Sequence, residues 1–165
     1  MPSPSQPALP APPAGVRSVY GPAFPDGLSW LLAMRDGRAE LPPIAQVLGF
    51  EVREAVPGGV TFAMHPAALL YNPMGAVHGG VTATLLDTVM GCALHTRLPG
   101  DAGYSTLDIS VRYIRAITER TGAVLATATL IHLGRRTAVA EARLVSERDQ
   151  QLFATGNATL FLYQP

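Results

Sequence analysis

The sequence predicts an α+β fold in which one long helix lies against an antiparallel sheet. Three observations carry that prediction. Residues 81–95 form an apolar run with helical spacing, long enough for four turns. Two alternating stretches precede it and four follow, each bounded by Gly, Pro or Asp turns. The connections between those stretches are short, which antiparallel neighbours allow and parallel ones do not. One helix against one such sheet is a two-layer arrangement.

The bulk properties agree with a single globular unit. A chain of 165 residues suggests one domain, and a domain near that size hides roughly 70% of its unfolded surface. Hydrophobic residues make up 48% and charged residues only 15%. The charged share lies below the usual ~25%, so part of the surface is expected to be covered by a second chain. The net charge is zero, which gives no support to nucleic-acid binding. The single Cys92 excludes an intrachain disulfide and agrees with a reducing compartment. The first residues lack the basic and apolar regions of a secretory signal. No run reaches the ~20 apolar residues of a membrane span. A cytoplasmic location without a membrane partner is the expectation.

Taken in order, residues 1–25 are Pro-rich and predict a flexible arm, because Pro fixes φ and removes a donor. Residues 26–48 predict a helical extension. Within it, 26–35 reads as a short amphipathic helix ended by Gly37, Leu41-Pro42-Pro43 as a hinge and 44–48 as one more helical turn. The main domain is expected over 49–165. It begins with a hairpin, 50–55 and 60–65, turning at Pro57-Gly58-Gly59. A turn of helix is expected over 67–71, then a Gly-rich loop over 72–80, then the helix. Strands follow over 105–114, 122–133, 137–145 and the end of the chain. In 105–114, alternation puts Leu107, Ile109, Val111 and Tyr113 on one side.

The helix carries one charge, and that charge needs a reason. Leaving His aside, Asp87 is the only charged residue between positions 55 and 96. At 100° per residue, Val81, Leu85, Leu86, Val89, Met90 and Ala93 form a core face. The opposite side holds Ala83, Thr84, Asp87, Thr88 and Gly91. It lacks the Lys, Arg or Glu of a solvated surface, and small residues admit another backbone. This side predicts a contact with a second chain. Asp87 is then either a structural acceptor for Thr84, Thr88 or a partner's backbone, or a catalytic base or nucleophile.

The loop before the helix favours chemistry. Asn72-Pro73-Met74-Gly75-Ala76-Val77-His78-Gly79-Gly80 places glycines at a helix start, where N–H groups are unsatisfied and the dipole favours negative charge. Such an end suits a phosphate or a developing oxyanion. The chain has no P-loop pattern, so an oxyanion hole fits better. His78 has either a chemical role or a capping one. Asn72 either orients a carbonyl or water, or closes an Asx turn. Gly79 and Asp87 are eight residues apart, ~12 Å along one helix, whereas a base must come within ~3 Å of its proton. Two antiparallel copies of the helix would bring them together, so the spacing predicts a homodimer with composite sites. Cys92 reads as a packing residue. His65, His78, His95 and His132 lack metal-ligand spacing.

The motif Asn-Pro-x-Gly-x-Val-His-Gly-Gly, with an acid nine residues after the His, resembles the PaaI-like (phenylacetate-type) hotdog-fold acyl-CoA thioesterases. Thr106-Leu107-Asp108, Tyr113-Ile114-Arg115 and His132-Leu133-Gly134-Arg135 support the resemblance. It implies a helix wrapped in an antiparallel sheet, dimers that often pair into tetramers, and hydrolysis of an acyl-CoA thioester without metal or other cofactor. By position, Gly79 would donate its N–H to the thioester oxygen. His78 and Asn72 would orient that carbonyl or the water. Asp87 of the facing chain would act as base or nucleophile, and Thr106 would hold the water or the acid. For the CoA phosphates, Arg115, Arg135 and Arg136 are the candidates. The rival expectations are a hotdog hydratase or dehydratase, and a non-catalytic acyl-CoA sensor.

Overall fold

The computed structural model describes residues 24–100 and 102–163. The arm expected over 1–25 lies, apart from Phe24 and Pro25, outside the described residues.

Two short helices open the described chain. Helix α1 (Gly27–Arg35) starts at Asp26, whose carboxylate accepts from the Ser29 N–H at 2.7 Å. Helix α2 (Pro43–Leu48) has Pro at its first position and stops at Gly49, which adopts φ 67°. The hairpin follows as β1 (Phe50–Val56) and β2 (Gly59–Met64). A 3₁₀ turn (Ala68–Leu70) leads into the Gly-rich loop and the long helix α3 (Gly79–His95). Four strands complete the chain: β3 (Gly103–Tyr113), β4 (Val124–Leu133), β5 (Thr137–Ser146) and β6 (Leu152–Tyr163). The α+β class and every expected element are present, with ends differing by a few residues.

All six strands form one antiparallel sheet in the order β1-β2-β4-β5-β6-β3. Strand β3 does not pair with β4, its successor in the chain. It crosses to the far side of β6 and ends the sheet there. The sheet curls around α3, which buries Leu85, Leu86, Val89, Met90, Ala93 and Leu94 against Phe62, Met64, Leu144 and Leu160. Fully burying one Leu, Val or Phe stabilises by roughly 1.5–3 kcal/mol, so this face holds the helix in place. Val81, expected in it, is only half-buried.

Helix α1 shares that core through Trp30, Leu31 and Met34, and Phe24 packs at its edge. The Gly27 N–H donates to the Leu98 carbonyl at 3.1 Å, and a Cβ at Gly27 would strike the backbone of His95. The helical extension therefore seals the C-terminal end of α3. His95 is buried there between Trp30 and Tyr104, with ring centroids at 5.5 and 5.8 Å. Among the described residues, no helix is long and apolar enough to cross a membrane.

The alternation expected in β3 is broken by a bulge between Thr106 and Asp108. Thr106 pairs with Leu160, and Ile109, Val111 and Tyr113 pair with Ala158, Gly156 and Ala154. The extra residue shifts the phase by one. Thr106, not Leu107, therefore shares the helix-side face with Ile109, Val111 and Tyr113, and Leu107 stands 59% exposed.

Candidate active site

The start of α3 is built by its own loop. The Asn72 carbonyl accepts from the Gly75 N–H at 3.1 Å, closing a turn that puts Gly75 at φ 81°, where a side chain would be strained. The Asn72 side-chain oxygen accepts from the N–H groups of Met74 and Ala76 at 3.0 and 3.3 Å. Asn72 is thus an Asx-turn residue, one of the two roles its sequence position allowed. Only its amino group is left to face a ligand. The turn holds the loop so that the chain enters the helix at His78.

His78 caps the helix. Its Nδ1 accepts from the Gly80 N–H at 2.9 Å. A neutral imidazole accepting at Nδ1 must carry its proton on Nε2, so the outer nitrogen of this exposed ring is a donor. The His78 carbonyl accepts from Val81 and Thr82, at 2.9 and 3.4 Å. The His78 N–H itself donates to the Leu70 carbonyl at 2.8 Å, so with the Gly80 and Val81 bonds three of the four N–H groups that a helix start leaves open are occupied, while the Thr82 bond is the first regular bond of the helix. The Gly79 N–H is the one without an acceptor among the described residues. The first turn therefore offers a single donor.

A pocket of about 320 Å³ opens beside that donor. Asn72, Gly79, Thr82, Tyr113, Arg115 and Phe153 are among its walls. Tyr113 bonds its hydroxyl to the Gly79 carbonyl at 2.9 Å. A Cβ at Gly79 would lie 3.3–3.4 Å from the Tyr113 ring, so glycine lets that ring close over the helix end. In the sequence Tyr113 was an apolar member of an alternating strand and part of the Tyr113-Ile114-Arg115 likeness, with no site role assigned to it. Nothing there said which strand end meets the start of α3.

Asp87 lies elsewhere. It sits eight residues along the helix, ~12 Å by helical rise, and is not among the walls of the pocket. The Thr106 hydroxyl donates to the Asp87 carboxylate at 2.8 Å. The threonines weighed as partners do something else: Thr84 donates to the Gly80 carbonyl at 2.8 Å and Thr88 to the Thr84 carbonyl at 2.7 Å. A helical Thr reaches the carbonyl four residues back more readily than a side chain beside it. The small-residue side of the helix is also partly closed by the chain itself. Gly91 is buried under Tyr104, whose ring would lie 2.9 Å from a Cβ there. Ala83, Thr84, Asp87 and Thr88 remain half-exposed.

Cys92 is a buried, free thiol. Burial pushes its pKa up to about 12, and the Asp87 carboxylate adds to the shift. It is a packing residue and no nucleophile at neutral pH.

The three arginines separate. Arg115 lines the pocket and donates to the Leu152 carbonyl at 2.7 Å. Arg135 and Arg136 stand exposed at the β4–β5 turn. Arg136 lies over the Phe161 ring at 5.1 Å. Through the pairing of β5, β6 and β3, that turn is at the Thr106 end of the sheet, away from Tyr113 and Gly79.

A long helix held in a curled six-stranded antiparallel sheet is a hotdog fold. Comparison with known proteins places it further. The pattern of the Thioesterase superfamily matches residues 74–153, which include His78, Gly79, Asp87 and Thr106 but not Asn72. A Halobacterium salinarum protein with a provisional esterase name is 34% identical over 107 residues, 62% of this chain and 69% of its own. The 1,4-dihydroxy-2-naphthoyl-CoA hydrolase of Listeria monocytogenes is 24% identical over 109 residues, 66% of this chain and 87% of its own. Among solved structures, a phenylacetic acid degradation-related protein of Ralstonia eutropha superposes with TM-score 0.71. It is 27% identical, over 80% of this chain and 98% of that one. The chain belongs to the thioesterase superfamily, whose members hydrolyse thioesters, and the expected likeness to the PaaI-like group is borne out.

Proposed function

We propose that the protein is a homo-oligomeric acyl-CoA thioesterase whose sites are each assembled from two copies of α3. The observation that carries this reading is the division of the chemistry. Gly79, which carries the open N–H of the first turn, lines the pocket. The acid held by Thr106 is on the same helix, ~12 Å away, too far to serve the same carbonyl. Two antiparallel copies would place Gly79 of one opposite Asp87 of the other. Three things support a second copy. The Asp87 side of the helix is half-exposed and carries no other charge. Strand β3 is a sheet edge. Leu107, Ile109 and Tyr113 are exposed along it.

In this arrangement the thioester oxygen accepts from the Gly79 N–H, assisted by the His78 Nε2–H and the Asn72 amino group. These donors stabilise the charge that develops as the carbonyl is attacked. Asp87 of the facing copy takes a proton from water while the water oxygen bonds to the acyl carbon. The C–S bond then breaks, and the proton passes to the departing CoA thiolate. Direct attack by the carboxylate, with later hydrolysis of the anhydride, uses the same residues. Thr106 fixes which way the carboxylate points. CoA as the carrier is supported by the Listeria relative, whose name states a CoA thioester. Arg115, Arg135 and Arg136 are cationic candidates for its phosphates, and a composite site would draw on both ends of the sheet.

The test is a panel of acyl-CoA thioesters with free-thiol detection, on the wild type and Asp87→Asn. Loss of a general base costs ~10²–10⁴ in rate. Hydrolysis within about threefold of wild type would remove Asp87 from the chemistry. Binding without cleavage of any thioester by the wild type would favour a sensor. Sedimentation supplies the second check: an active monomer at nanomolar concentration contradicts the composite site.

A further inference from the structure

The buried hydroxyls among the described residues belong to Thr82, Thr96 and Ser146. Two of them are bonded. The Thr96 hydroxyl donates to the Ala93 carbonyl and accepts from the Gly58 N–H, both at 2.7 Å. The Ser146 hydroxyl accepts from the Asp149 N–H at 3.4 Å. Thr82 differs. It is only 3% exposed, in the first turns of α3, and its hydroxyl has no partner among the described residues. The next two threonines of the helix bond the carbonyl four residues back. The equivalent acceptor for Thr82 is the His78 carbonyl, which already accepts from the Val81 and Thr82 N–H groups. A buried hydroxyl without a bond has given up water and gained nothing in return, so it weakens the fold. Such a group calls for a function.

Thr82 has a place to act. Thr82 and Gly79 are walls of the same pocket. Three residues apart, they are neighbours on one side of the helix, ~4.5 Å apart along its axis. A helical side chain leans toward the N-terminus, so Thr82 covers the turn that Gly79 begins. Two donors that each stand about 2.7–3.1 Å from one oxygen can be up to about 6 Å apart. The spacing therefore lets a backbone N–H and a hydroxyl meet at one acceptor, and Gly79 puts no side chain between them. Other neutral polar groups of the pocket are engaged. The Tyr113 hydroxyl is bonded to the Gly79 carbonyl, and the Asn72 side-chain oxygen accepts from two N–H groups of its own loop. His78 is not a wall of this pocket. The Asn72 amino group and the Thr82 hydroxyl are the neutral side-chain donors left to meet a ligand.

We infer that the Thr82 hydroxyl is a further catalytic group, donating a hydrogen bond to the same thioester oxygen that the Gly79 N–H binds. The inference rests on the thioesterase reading for the reaction and adds a residue to it. The hydroxyl keeps its proton throughout. As the carbonyl is attacked and its oxygen gains charge, a bond to that oxygen shortens and strengthens. The contact therefore favours the transition state over the bound thioester and acts on kcat. A bond from Thr82 to its own helix would compete with this contact, and Thr82 makes none, unlike Thr84 and Thr88.

The test sets activity against stability. Thr82→Val keeps the shape and removes the hydroxyl, and Thr82→Ser keeps the hydroxyl. Steady-state hydrolysis of acyl-CoA thioesters and urea unfolding are measured on the full-length wild type and both variants. Loss of one oxyanion donor costs ~10²–10³ in kcat. A hydroxyl that shares the oxygen with Gly79 should cost about ten- to hundredfold, with KM within threefold, and Thr82→Ser should recover most of the loss. The unfolding midpoint of Thr82→Val should equal or exceed that of the wild type, because a methyl group replaces an unbonded buried hydroxyl. A kcat within threefold of wild type for Thr82→Val would overturn the assignment. So would a fall in activity together with a lowered midpoint, the mark of a structural bond. A second arm needs no turnover. An acyl-CoA analogue with a methylene in place of the thioester sulfur, isotope-labelled at its carbonyl, is bound to wild type and Thr82→Val and followed by infrared difference spectroscopy. The carbonyl stretch should lie lower in the wild type, since a hydrogen bond polarises the C=O. The same frequency in both proteins would overturn the contact. A wild type that shows this shift yet cleaves no thioester would sink the thioesterase reading and leave the contact standing.

Discussion

Thr106 donates its hydroxyl to the Asp87 carboxylate at 2.8 Å, joining an edge strand to the central helix across 19 residues of sequence. The bond exists because β3 carries an extra residue just after Thr106. Without the bulge, strand alternation would turn Thr106 away from the helix. The carboxylate direction is therefore set by a defect in the strand, a common use of bulges beside functional sites.

Replacing Thr106 by Val keeps the shape and removes the donor. A hydrogen bond to a charged group contributes ~1.5–3 kcal/mol, so kcat for thioester hydrolysis should fall roughly ten- to hundredfold, at ~1.4 kcal/mol per factor of ten. Thr106→Ser should recover most of it. Unchanged steady-state kinetics for Thr106→Val would show that Asp87 needs no orienting partner.

Gly79→Pro deletes the open N–H with little disturbance of the helix. Gly79 is the first helical residue after the His78 cap, the position where Pro is best tolerated. His78 has ψ 134°, an extended value that a following Pro accepts. The Tyr113 ring must yield by a few tenths of an ångström. Circular dichroism should stay native while kcat falls by ~10²–10³, the usual loss of one oxyanion donor. Mixing this variant with Asp87→Asn should restore part of the activity if each site draws on two chains. A mixture as inactive as its components after subunit exchange would argue for sites within one chain.

At Gly91 a methyl group would collide with the Tyr104 ring at 2.9 Å. Gly91→Ala should therefore destabilise by about 1–3 kcal/mol, the cost of overpacking, despite the better helix propensity of Ala. The Gly91→Ala/Tyr104→Ala pair should be less destabilised than the sum of its single changes. Additive urea-unfolding midpoints would mean that the ring moves aside freely.

Stability should fall as the solution is acidified below the ordinary His value of 6.5. Burial of His95 disfavours its charged form and lowers its pKa in the folded chain, against a smaller opposing pull from Asp26. Above 6.5 both folded and unfolded states hold a neutral imidazole, and His95 adds no pH dependence. Below it, the unfolded chain binds a proton that the folded one refuses, so stability declines until the folded pKa is passed. Urea midpoints at pH 7.5 and 5.5 should differ in that direction, and His95→Gln should reduce the difference. A midpoint that rises on acidification would contradict a buried neutral His95.

Much of the fold could be read from spacing. The hairpin at Pro57-Gly58-Gly59, the helix behind His78-Gly79-Gly80 and the alternation of 152–163 are local patterns. Local patterns survive into structure when the core they imply is the core that forms. Asp87 stood out for a similar reason, because a lone charge in an apolar helix is visible without a fold. The three candidate arginines could not be sorted by sequence, since strand order decides which turn adjoins which pocket. The partner of Asp87 illustrates the same limit: Thr84 and Thr88 were near in sequence, but their hydroxyls went to helix carbonyls.

By itself the sequence determined the α+β class, the apolar face of the helix, the Gly-rich helix start and the singular acid. Each of these depends on periodicity or residue type over a short span. Tertiary structure alone decided that β3 crosses to the far side of β6, that Tyr113 closes over Gly79, and that Arg115 lines the Gly79 pocket while Arg135 and Arg136 do not. It also decided that one inserted residue turns Thr106 toward Asp87. The physical reason is common to all four. Strand order and bulge position are settled by long-range packing against the helix, and a one-residue change of phase exchanges the two faces of a strand.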